Sequence, residues 1–251
     1  IGGRIVDRHH ILVDEELVSF FPVLEKPLQI VPFTGRLLTN SMLGKAEVLV
    51  VRSVTRVCEE LLEGSKIRLV CSTTSGMDHV DQQYLKKANA GLVNAPGSNA
   101  IAVAEYAIFS ILLYIRLVKK SLQELKVGVI GYGEIGSRLT QILESIGAQV
   151  LINDPPKNDF SGLGSRHFPL EKLIRQCDCL SIHVPFEKTG PFPTENLLDY
   201  KLLKKVKNHA LIINSSRGGI INEQDLLDIL DEKPDLKVAL DCWVDEPRLN
   251  I

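Results

Sequence analysis

One stretch, "KVGVIGYGEIGSRLTQILESIGAQVLINDPP", limits the fold of this chain more than any other part of its sequence. It joins an apolar run at 126–130, three glycines spaced G-x-G-x-x-G, and a segment with apolar residues every three or four positions. This order predicts a strand, a tight turn and a helix, followed by a second strand that ends at Asp154. The stretch therefore indicates a parallel βαβ unit.

Each glycine of this turn has its own physical reason. Gly131 permits the tight turn, Gly133 lets backbone amides approach a pyrophosphate, and Gly136 lets the helix pack closely on the strand. Asp154 follows at about the twenty-residue spacing of a ribose-binding acid, and its carboxylate would repel a 2′-phosphate. We therefore predict a dinucleotide site that prefers NAD to NADP. A methyltransferase, which carries similar glycine turns, is a more distant alternative.

Short apolar runs alternate with helical patterns along the whole chain, as is typical of parallel α/β architecture. Five strands are expected before a long helix at about 100–120 and five after it. The runs are "HILVDE", "LQIVPF", "AEVLVVRS", "IRLVCSTTS", "GLVNAP", "KVGVIG", "AQVLIND", "CLSIHVP", "ALIINSS" and "KVALDCW". The predicted fold class is α/β, with two flavodoxin- or Rossmann-like parallel-sheet domains joined by the long helix and the C-terminal part missing.

The expected domain boundaries follow from this pattern. Residues 1–10 read as a tag or disordered end, 11–99 as a substrate-binding domain, and 100–251 as a cofactor-binding domain that is incomplete at its C-terminal end. Clefts between such domains are common small-molecule sites.

Composition argues against several other classes of protein. The 251 residues carry a formal net charge of -2, which gives no reason to expect nucleic acid or an anionic membrane as a partner. The segment 101–118 is long and apolar, but Glu105 and Arg116 within it favour a buried helix of a soluble protein over a membrane span. Five scattered cysteines indicate a reducing, cytoplasmic location. We interpret Cys177 and Cys179 as buried apolar thiols.

Two arginines come directly after apolar runs, at the strand ends where open α/β sheets bind ligands. Arg217 follows "ALIINSS", and a guanidinium there can hold a carboxylate through two parallel hydrogen bonds. Arg52 and Ser53 follow "VLVV", where a charge and a hydroxyl could grip a phosphate. An ordinary polar loop is an equal alternative for the second pair on the residues alone.

The segment "TTSGMDHVD" offers hydroxyls and a flexible glycine whose backbone amides could take an anion. Asp78, His79 and Asp81 within it suggest a metal site. A histidine flanked by carboxylates at a helix start more often belongs to local capping, so we predict no metal site.

Several motifs together resemble the D-2-hydroxyacid dehydrogenase family, in order and with matching spacing. They are "GYGEIG", Asp154, "SIHVP", "NSSRGG" and "DCWVDEP", and the resemblance covers nearly the whole chain from Ile11 onward. The stretches "ILVDE", "VVRSVTRV", "NAPGSNAIAVAEY" and "PFEKTGPFPTENLLD" resemble one branch of that family. This branch implies NAD-dependent oxidation of 4-phospho-D-erythronate to its 2-oxo acid, in pyridoxal 5′-phosphate synthesis, by a homodimer.

Two alternatives stay open beside that branch. One is another D-2-hydroxy acid dehydrogenase that acts on phosphoglycerate, glycerate or lactate. The other is a non-catalytic, NAD-binding regulatory relative.

The resemblance implies roles for individual residues. Arg217 would bind and polarise the substrate, and Glu246 would stabilise a protonated catalytic histidine. Ser53 and Thr74 would bind substrate, with Arg52 beside them. The positions implied to contact the cofactor are Gly131, Gly133, Glu134, Ile135, Gly136, Asp154, Val184, Ser215, Ser216, Arg217 and Asp241. Val184 stands where a threonine is expected, so a side-chain hydrogen bond is lost there.

Oxidation of a secondary alcohol needs a base that takes the hydroxyl proton. The resemblance places this base in a histidine downstream of Glu246, and the sequence ends at Ile251. His183 in "SIHVP" is the one serious substitute, but the family has a histidine there without an acid–base role. We therefore expect an incomplete chain that also lacks a C-terminal dimerisation segment. A degenerate relative is the other possibility.

Overall fold

A computed structural model describes residues 9–20, 28–157, 166–244 and 246. The chain divides into two compact units, Ile1–Asn99 and Ala100–Ile251. Each unit contains a five-stranded sheet in which all neighbouring strands are parallel. The predicted α/β class with two parallel sheets is confirmed.

The ten strands coincide with the ten predicted apolar runs. They are β1 His9–Asp14, β2 Leu28–Phe33, β3 Val48–Val51, β4 Leu69–Ser72, β5 Gly91–Val93, β6 Lys126–Ile130, β7 Gln149–Asn153, β8 Cys179–Ile182, β9 Leu211–Asn214 and β10 Lys237–Leu240. Strand β1 begins at His9, so the last two residues of the expected tag or disordered end belong to the first sheet.

Seven α-helices lie in the described part of the chain, together with short 3-10 turns. They are α1 Glu59–Leu62, α2 Gln82–Lys87, α3 Ala100–Val118, α4 Glu134–Ser145, α5 Leu170–Gln176, α6 Tyr200–Leu203 and α7 Glu223–Glu232. Carboxylate or amide side chains cap three of these helices: Asp81 caps α2, Asp199 caps α6 and Asn222 caps α7.

Both sheets have the same strand order. The first is β2-β1-β3-β4-β5, and the second, in the corresponding sense, is β7-β6-β8-β9-β10. In each sheet the chain leaves the first strand on one side and returns to pair on its other side. The carboxyl ends of β1 and β3, and of β6 and β8, are therefore topological switch points, where open α/β sheets bind ligands.

The inner strands of both sheets are buried on both faces, as parallel sheets require. The pattern is continuous in β8 and β9, where all four residues are buried. Cys177 and Cys179 are fully buried in the second unit, which confirms their interpretation as apolar thiols. Burial raises the pKa of the Cys177 thiol to about 12, so it stays protonated at neutral pH.

Helix α3 differs from the expected buried helix because only one of its faces is covered. Ala104, Ala107 and Ile111 pack in the core of the second unit, and the Tyr114 hydroxyl donates to the carbonyl of His209. The opposite face exposes large apolar side chains: Ile101, Phe109, Leu112, Leu113 and Leu117. The helix is long and apolar enough to cross a membrane by length and composition.

Candidate functional site

The glycine turn after β6 has two positions that exclude any side chain. Gly131 has φ +92°, and an added Cβ would overlap the carbonyl oxygen of His183. An added Cβ on Gly136 would overlap the carbonyl oxygen of Gly131. The turn is also tied to β7, because the Gly131 N–H donates to the Asn153 carbonyl at 2.8 Å. Helix α4 can therefore start directly against the end of β6.

Gly133, in contrast, faces open space. It precedes the first residue of α4, and apart from its chain neighbours no atom of the described residues lies within 4 Å of an added Cβ. The first turn of this twelve-residue helix presents N–H groups that have no intrahelical partner and carry the positive end of the helix dipole. A side chain at position 133 would fill the space in front of these donors. The residues therefore fit the pyrophosphate of a dinucleotide.

Asp154 is held at the end of β7 by two backbone donors. Its Oδ2 accepts from the Tyr132 N–H at 2.7 Å, and its Oδ1 accepts from the Lys157 N–H at 2.9 Å. Each oxygen keeps a further lone pair, so ribose hydroxyls can still donate to this carboxylate.

Lys157 is a neighbour of this acid that the sequence motifs did not reveal. Its Nζ donates to the Tyr132 carbonyl at 2.5 Å and lies 5.6 Å from the centre of the Tyr132 ring. The signal in the sequence was a cation three residues after Asp154, at the start of a helical turn.

His183 lies under the glycine turn, at the end of β8. Its N–H donates to the Ile130 carbonyl at 2.7 Å, and its ring Nε2 is 2.8 Å from the Ser181 hydroxyl. Its Nδ1 is buried and has no hydrogen-bond partner among the described residues. Burial lowers the pKa of His183 to about 4, so the ring is neutral at physiological pH. This environment supports our rejection of His183 as the catalytic base. Val184 packs its side chain against the Gly131 position.

Asn214, the first residue of the "NSSRGG" motif and one that the sequence reasoning gave no role, organises the turn after β9. Its Oδ1 accepts from the Ser216 N–H at 3.1 Å, and its Nδ2 donates to the Arg217 carbonyl at 3.0 Å. The Ser216 hydroxyl lies 2.9 Å from the same Oδ1 and 3.0 Å from the Ile182 carbonyl. The Ser215 hydroxyl is buried and has no partner among the described residues. Of the two serines, Ser215 is therefore the one with a hydroxyl left for a ligand.

Glu246 returns to the turn that carries Arg217. Gly218 has no room for a side chain because an added Cβ would overlap the backbone of Trp243. The Trp243 N–H donates to Glu246 Oε1 at 2.8 Å. Burial raises the pKa of the nearby Cys242 thiol to about 12; the charge of Glu246 adds to this effect and that of Arg217 opposes it. The second unit thus packs the segment that binds Glu246 against the residue that follows Arg217.

Three predicted cofactor contacts lie at the same edge of this sheet. Glu134 is exposed at the first position of α4 and forms an ion pair with Arg138 at 2.5 Å. Ile135 is half-buried beside it. The Asp241 N–H donates to the Asn214 carbonyl at 2.9 Å, and burial, followed by the charge of Glu246, raises the pKa of the Asp241 carboxyl.

The switch point of the first unit contains an ion pair that the sequence did not predict. Asp14, the last residue of β1, is fully buried, and its Oδ1 accepts from the Arg52 Nε at 2.9 Å and from the Glu16 N–H at 3.2 Å. Its Oδ2 is buried with no hydrogen-bond partner among the described residues. Sequence reasoning identified the arginine and missed the acid, although an acid that closes an apolar strand was a usable signal.

Ser53 and Thr74 lie in the loops that leave the neighbouring strands β3 and β4. Ser53 is exposed in a turn closed by the Thr55 N–H, which donates to the Arg52 carbonyl at 3.1 Å. The Thr74 hydroxyl is half-buried, 3.1 Å from the Ser72 hydroxyl. The three predicted substrate-binding residues therefore share one edge of the first sheet.

The segment around His79 contains the predicted local cap: Asp81 caps α2, where its Oδ1 accepts from the Tyr84 N–H at 2.9 Å. His79 itself is buried, and its Nε2 lies 3.1 Å from the Ser72 hydroxyl. The next residue, Val80, forms an isolated β-bridge with Val57. In the described ranges no three histidine, cysteine or acidic side chains are grouped so as to hold a metal ion.

Comparison with known proteins identifies relatives of both units. Residues 114–250, more than half of the chain, match the NAD binding domain of the D-isomer specific 2-hydroxyacid dehydrogenases. The chain is 40% identical over 241 residues to the erythronate-4-phosphate dehydrogenase of Escherichia coli O157:H7 (strain EC4115 / EHEC), and 39% identical to that of Shigella flexneri serotype 5b (strain 8401). Each alignment covers 96% of this chain and 64% of the relative.

Solved structures of dehydrogenases have the same fold. The D-lactate dehydrogenase of Aquifex aeolicus, solved with NAD and lactic acid, aligns with a TM-score of 0.80 and 25% identity, over 95% of this chain and 78% of that one. The NAD-bound 3-phosphoglycerate dehydrogenase of Entamoeba histolytica gives the same TM-score and identity, over 95% of this chain and 82% of that one. With its strand–glycine turn–helix geometry and matched domain, this chain belongs to the D-isomer specific 2-hydroxyacid dehydrogenase family.

Proposed function

We propose that this protein oxidises 4-phospho-D-erythronate at its 2-hydroxyl to the 2-oxo acid and forms NADH, as a step of pyridoxal 5′-phosphate synthesis. The relatives named for this substrate are 40% identical but longer, since the chain spans 64% of their length. The observation that carries the proposal is the packing of the Trp243 segment, whose N–H binds Glu246, on the residue after Arg217, at the sheet edge that also holds the glycine turn.

Arg217 is proposed to bind the carboxylate and the 2-oxygen of the substrate. Its backbone is fixed by Asn214, and the Trp243 segment packs on the next residue, so the guanidinium starts from a defined position. A guanidinium stabilises negative charge on the 2-oxygen as the hydroxyl proton leaves. NAD, when bound at the glycine turn, supplies the hydride acceptor.

Glu246 is proposed to support the proton acceptor rather than to act as one. Its Oε1 is oriented by the Trp243 N–H, and a carboxylate in this position favours the protonated form of an adjacent imidazole. The resemblance assigns that imidazole to a histidine further along the chain.

The first unit is proposed to bind the phosphoryl end of the substrate. Arg52 contributes charge, while the exposed Ser53 hydroxyl and the Thr74 loop contribute hydrogen-bond donors at the same sheet edge. A lactate or glycerate dehydrogenase has no need of a cation there. A phosphoglycerate dehydrogenase would share this feature and is the nearest alternative.

Initial rates of NADH formation by the native protein distinguish these possibilities. We expect a higher kcat/KM with 4-phospho-D-erythronate than with 3-phosphoglycerate, D-glycerate or D-lactate. Arg217→Lys should lower kcat/KM by about a hundredfold or more, because the ammonium cannot form two parallel hydrogen bonds. Arg138→Lys, on the exposed face of α4, is the matched control and should change the rate little. NAD binding without turnover of any of these acids would favour the regulatory alternative.

We also propose a cytoplasmic homodimer that forms through the exposed face of α3, with no nucleic acid or membrane partner. Glu105 and Arg116 lie on this face, eleven residues and about three helical turns apart. In an antiparallel two-fold pair, each Glu105 would therefore meet Arg116 of the other copy, with Phe109 and Leu112 near the axis.

Light scattering of E105R, of R116E and of the combined E105R/R116E variant tests this pairing. Each single charge reversal should weaken the dimer, and the double reversal should restore it. Equal dimer stability in all three variants would show that the interface lies elsewhere. Recruitment of the protein to lipid vesicles, in place of dimer formation, would favour a membrane surface as the partner of this face.

A further inference from the structure

The two members of the ion pair at the switch point of the first unit differ in their exposure to solvent. Asp14 has no exposed side-chain surface, while the Arg52 side chain is 36% exposed. A buried carboxylate is costly unless it is paired, and one of its two oxygens here has no partner among the described residues. A buried carboxylate with this cost is a candidate for a functional task.

The geometry of the pair indicates what that task is. A guanidinium can present two pairs of donors to anions. One pair is Nε with one Nη along its side, and the other is the two Nη groups at its end. Asp14 takes the Nε at 2.9 Å, and within the described residues this is the one side-chain hydrogen bond of Arg52. The end with the two Nη groups is therefore left for another anion, and the hydrogen bond of Nε to the buried carboxylate restricts the orientation of the guanidinium.

The surroundings of Asp14 are shaped to keep it in place. Its Oδ1 also accepts the Glu16 N–H at 3.2 Å. A side chain at Gly35 would overlap Asp14 Oδ2, so glycine leaves the space that the carboxylate fills. Thr55, in the turn that follows Arg52, donates its hydroxyl to the Gly35 carbonyl at 3.0 Å. One hydrogen-bonded network thus joins the ends of β1 and β3 and the loop after β2.

From this network we propose that Asp14 is a positioning residue which orients Arg52 so that the enzyme prefers phosphorylated over unphosphorylated 2-hydroxy acids. The inference rests on the proposed function, because it takes Arg52 as the group that binds the phosphoryl end. A fixed guanidinium loses less side-chain freedom when it binds a phosphate than a mobile one does. The negative charge of Asp14 acts in the opposite direction, since it reduces the net positive charge that the phosphate meets.

The proposed test measures kcat and KM of the native full-length protein for 4-phospho-D-erythronate and for D-erythronate, with NAD saturating. D14A should raise KM for the phosphorylated acid by about tenfold to a hundredfold, with kcat within about twofold and KM for D-erythronate unchanged. D14N keeps an oxygen that can accept from Arg52, so it should recover most of the lost preference. If D14A instead lowers KM for the phosphorylated acid, Asp14 acts as a repelling charge and not as a positioning residue, and the inference is overturned.

D81A is the matched control in the same unit. Asp81 is another carboxylate that accepts a backbone N–H, and it caps α2. Its removal should lower thermal stability without changing the preference for the phosphorylated acid. A similar loss of preference in D81A and D14A would show that both act through general destabilisation, and would overturn the inference.

R52A and the double variant D14A/R52A separate this inference from the proposed function. R52A should remove the preference, and D14A/R52A should be no worse than R52A, because Asp14 acts through Arg52. An unchanged preference in R52A would defeat the proposed phosphoryl site itself. A normal preference in D14A beside a lost preference in R52A would defeat only the role given to Asp14. Additive losses in the double variant would also contradict that role.

Discussion

The two sheets of this protein have the same strand order, yet different chemical groups lie at their switch points. In the second unit the ends of β6 and β8 carry glycines and a neutral, buried histidine, so the local ligand groups are backbone N–H donors. In the first unit the ends of β1 and β3 carry a buried acid and an arginine. We therefore propose that one topology carries two kinds of anion site, one made by the main chain and one by side chains.

This difference determines which substitutions should damage each site. A main-chain site depends on the absence of side chains, so added atoms should break it. A side-chain site depends on an orienting partner, so removed atoms should break it. The predictions below test this contrast, and they run from the largest expected effect to the smallest.

The largest effect is expected at Gly136. In Gly136→Ala the new methyl group would overlap the Gly131 carbonyl and push α4 away from β6, at a cost of roughly 4 kcal/mol in the free energy of unfolding of the second unit. The affinity of this variant for NAD should fall together with its stability. Gly133→Ala is the comparison, because its methyl group meets no atom of the described part of the chain beyond its sequence neighbours: denaturation should be nearly unchanged while NAD titration shows weaker binding. Equal stability losses in the two variants would contradict the assigned geometry.

The second largest effect is the pH dependence of the free energy of unfolding that His183 causes. Its folded pKa of about 4 lies below the unfolded value of about 6.5, so the unfolded state takes up the proton first as pH falls. The free energy of unfolding should therefore decrease between about pH 6.5 and pH 4, by about 3 kcal/mol from this group. Urea denaturation of the native protein and of His183→Gln across this range measures the difference.

His209→Gln is the control for that series, because His209 is exposed in a turn. It should keep the pH dependence of the native protein. A His183→Gln curve parallel to the native one would show that the buried ring does not control stability in this pH range.

The smallest effect is expected at Asp154. The Gly131 N–H still ties the glycine turn to the Asn153 carbonyl in this variant, so Asp154→Ser should remove hydrogen bonds to the ribose while the turn persists. We expect NAD binding to weaken by about tenfold, and NADP binding to strengthen because the repelling charge is gone and Lys157 remains nearby. Titration of both cofactors measures the ratio, and an unchanged ratio would remove Asp154 from the ribose site.

Local patterns in the sequence predicted the strands and the glycine turn because these depend on residues close together in the chain. The alternation of apolar runs placed all ten strands, and the spacing of Gly131 and Gly136 indicated the packing of α4. Asp14 escaped notice because its role depends on Arg52, 38 residues away along the chain. The contact between His79 and Ser72 was not predicted for a similar reason, because Ser72 belongs to another element.

Helix α3 illustrates the limit of composition as a guide. Its apolar residues surround the helix, which predicted full burial, but the sheet and α4 cover only one face. The apolar pattern of the helix does not distinguish residues of the core from residues of an exposed face, so it did not predict the exposure of Phe109 and Leu113. Only the packed structure shows which face is available to a second copy.

The central claim is that a main-chain anion site for NAD and a side-chain anion site for a phosphoryl group serve one reaction. Its most direct test is the ratio of kcat/KM for 4-phospho-D-erythronate to kcat/KM for D-erythronate, followed as NADH absorbance with the native protein. The account predicts a ratio of about a hundred or more in favour of the phosphorylated acid, since each charged hydrogen bond contributes about 1.5–3 kcal/mol. Equal values for the two acids, or no NADH from either, would contradict it.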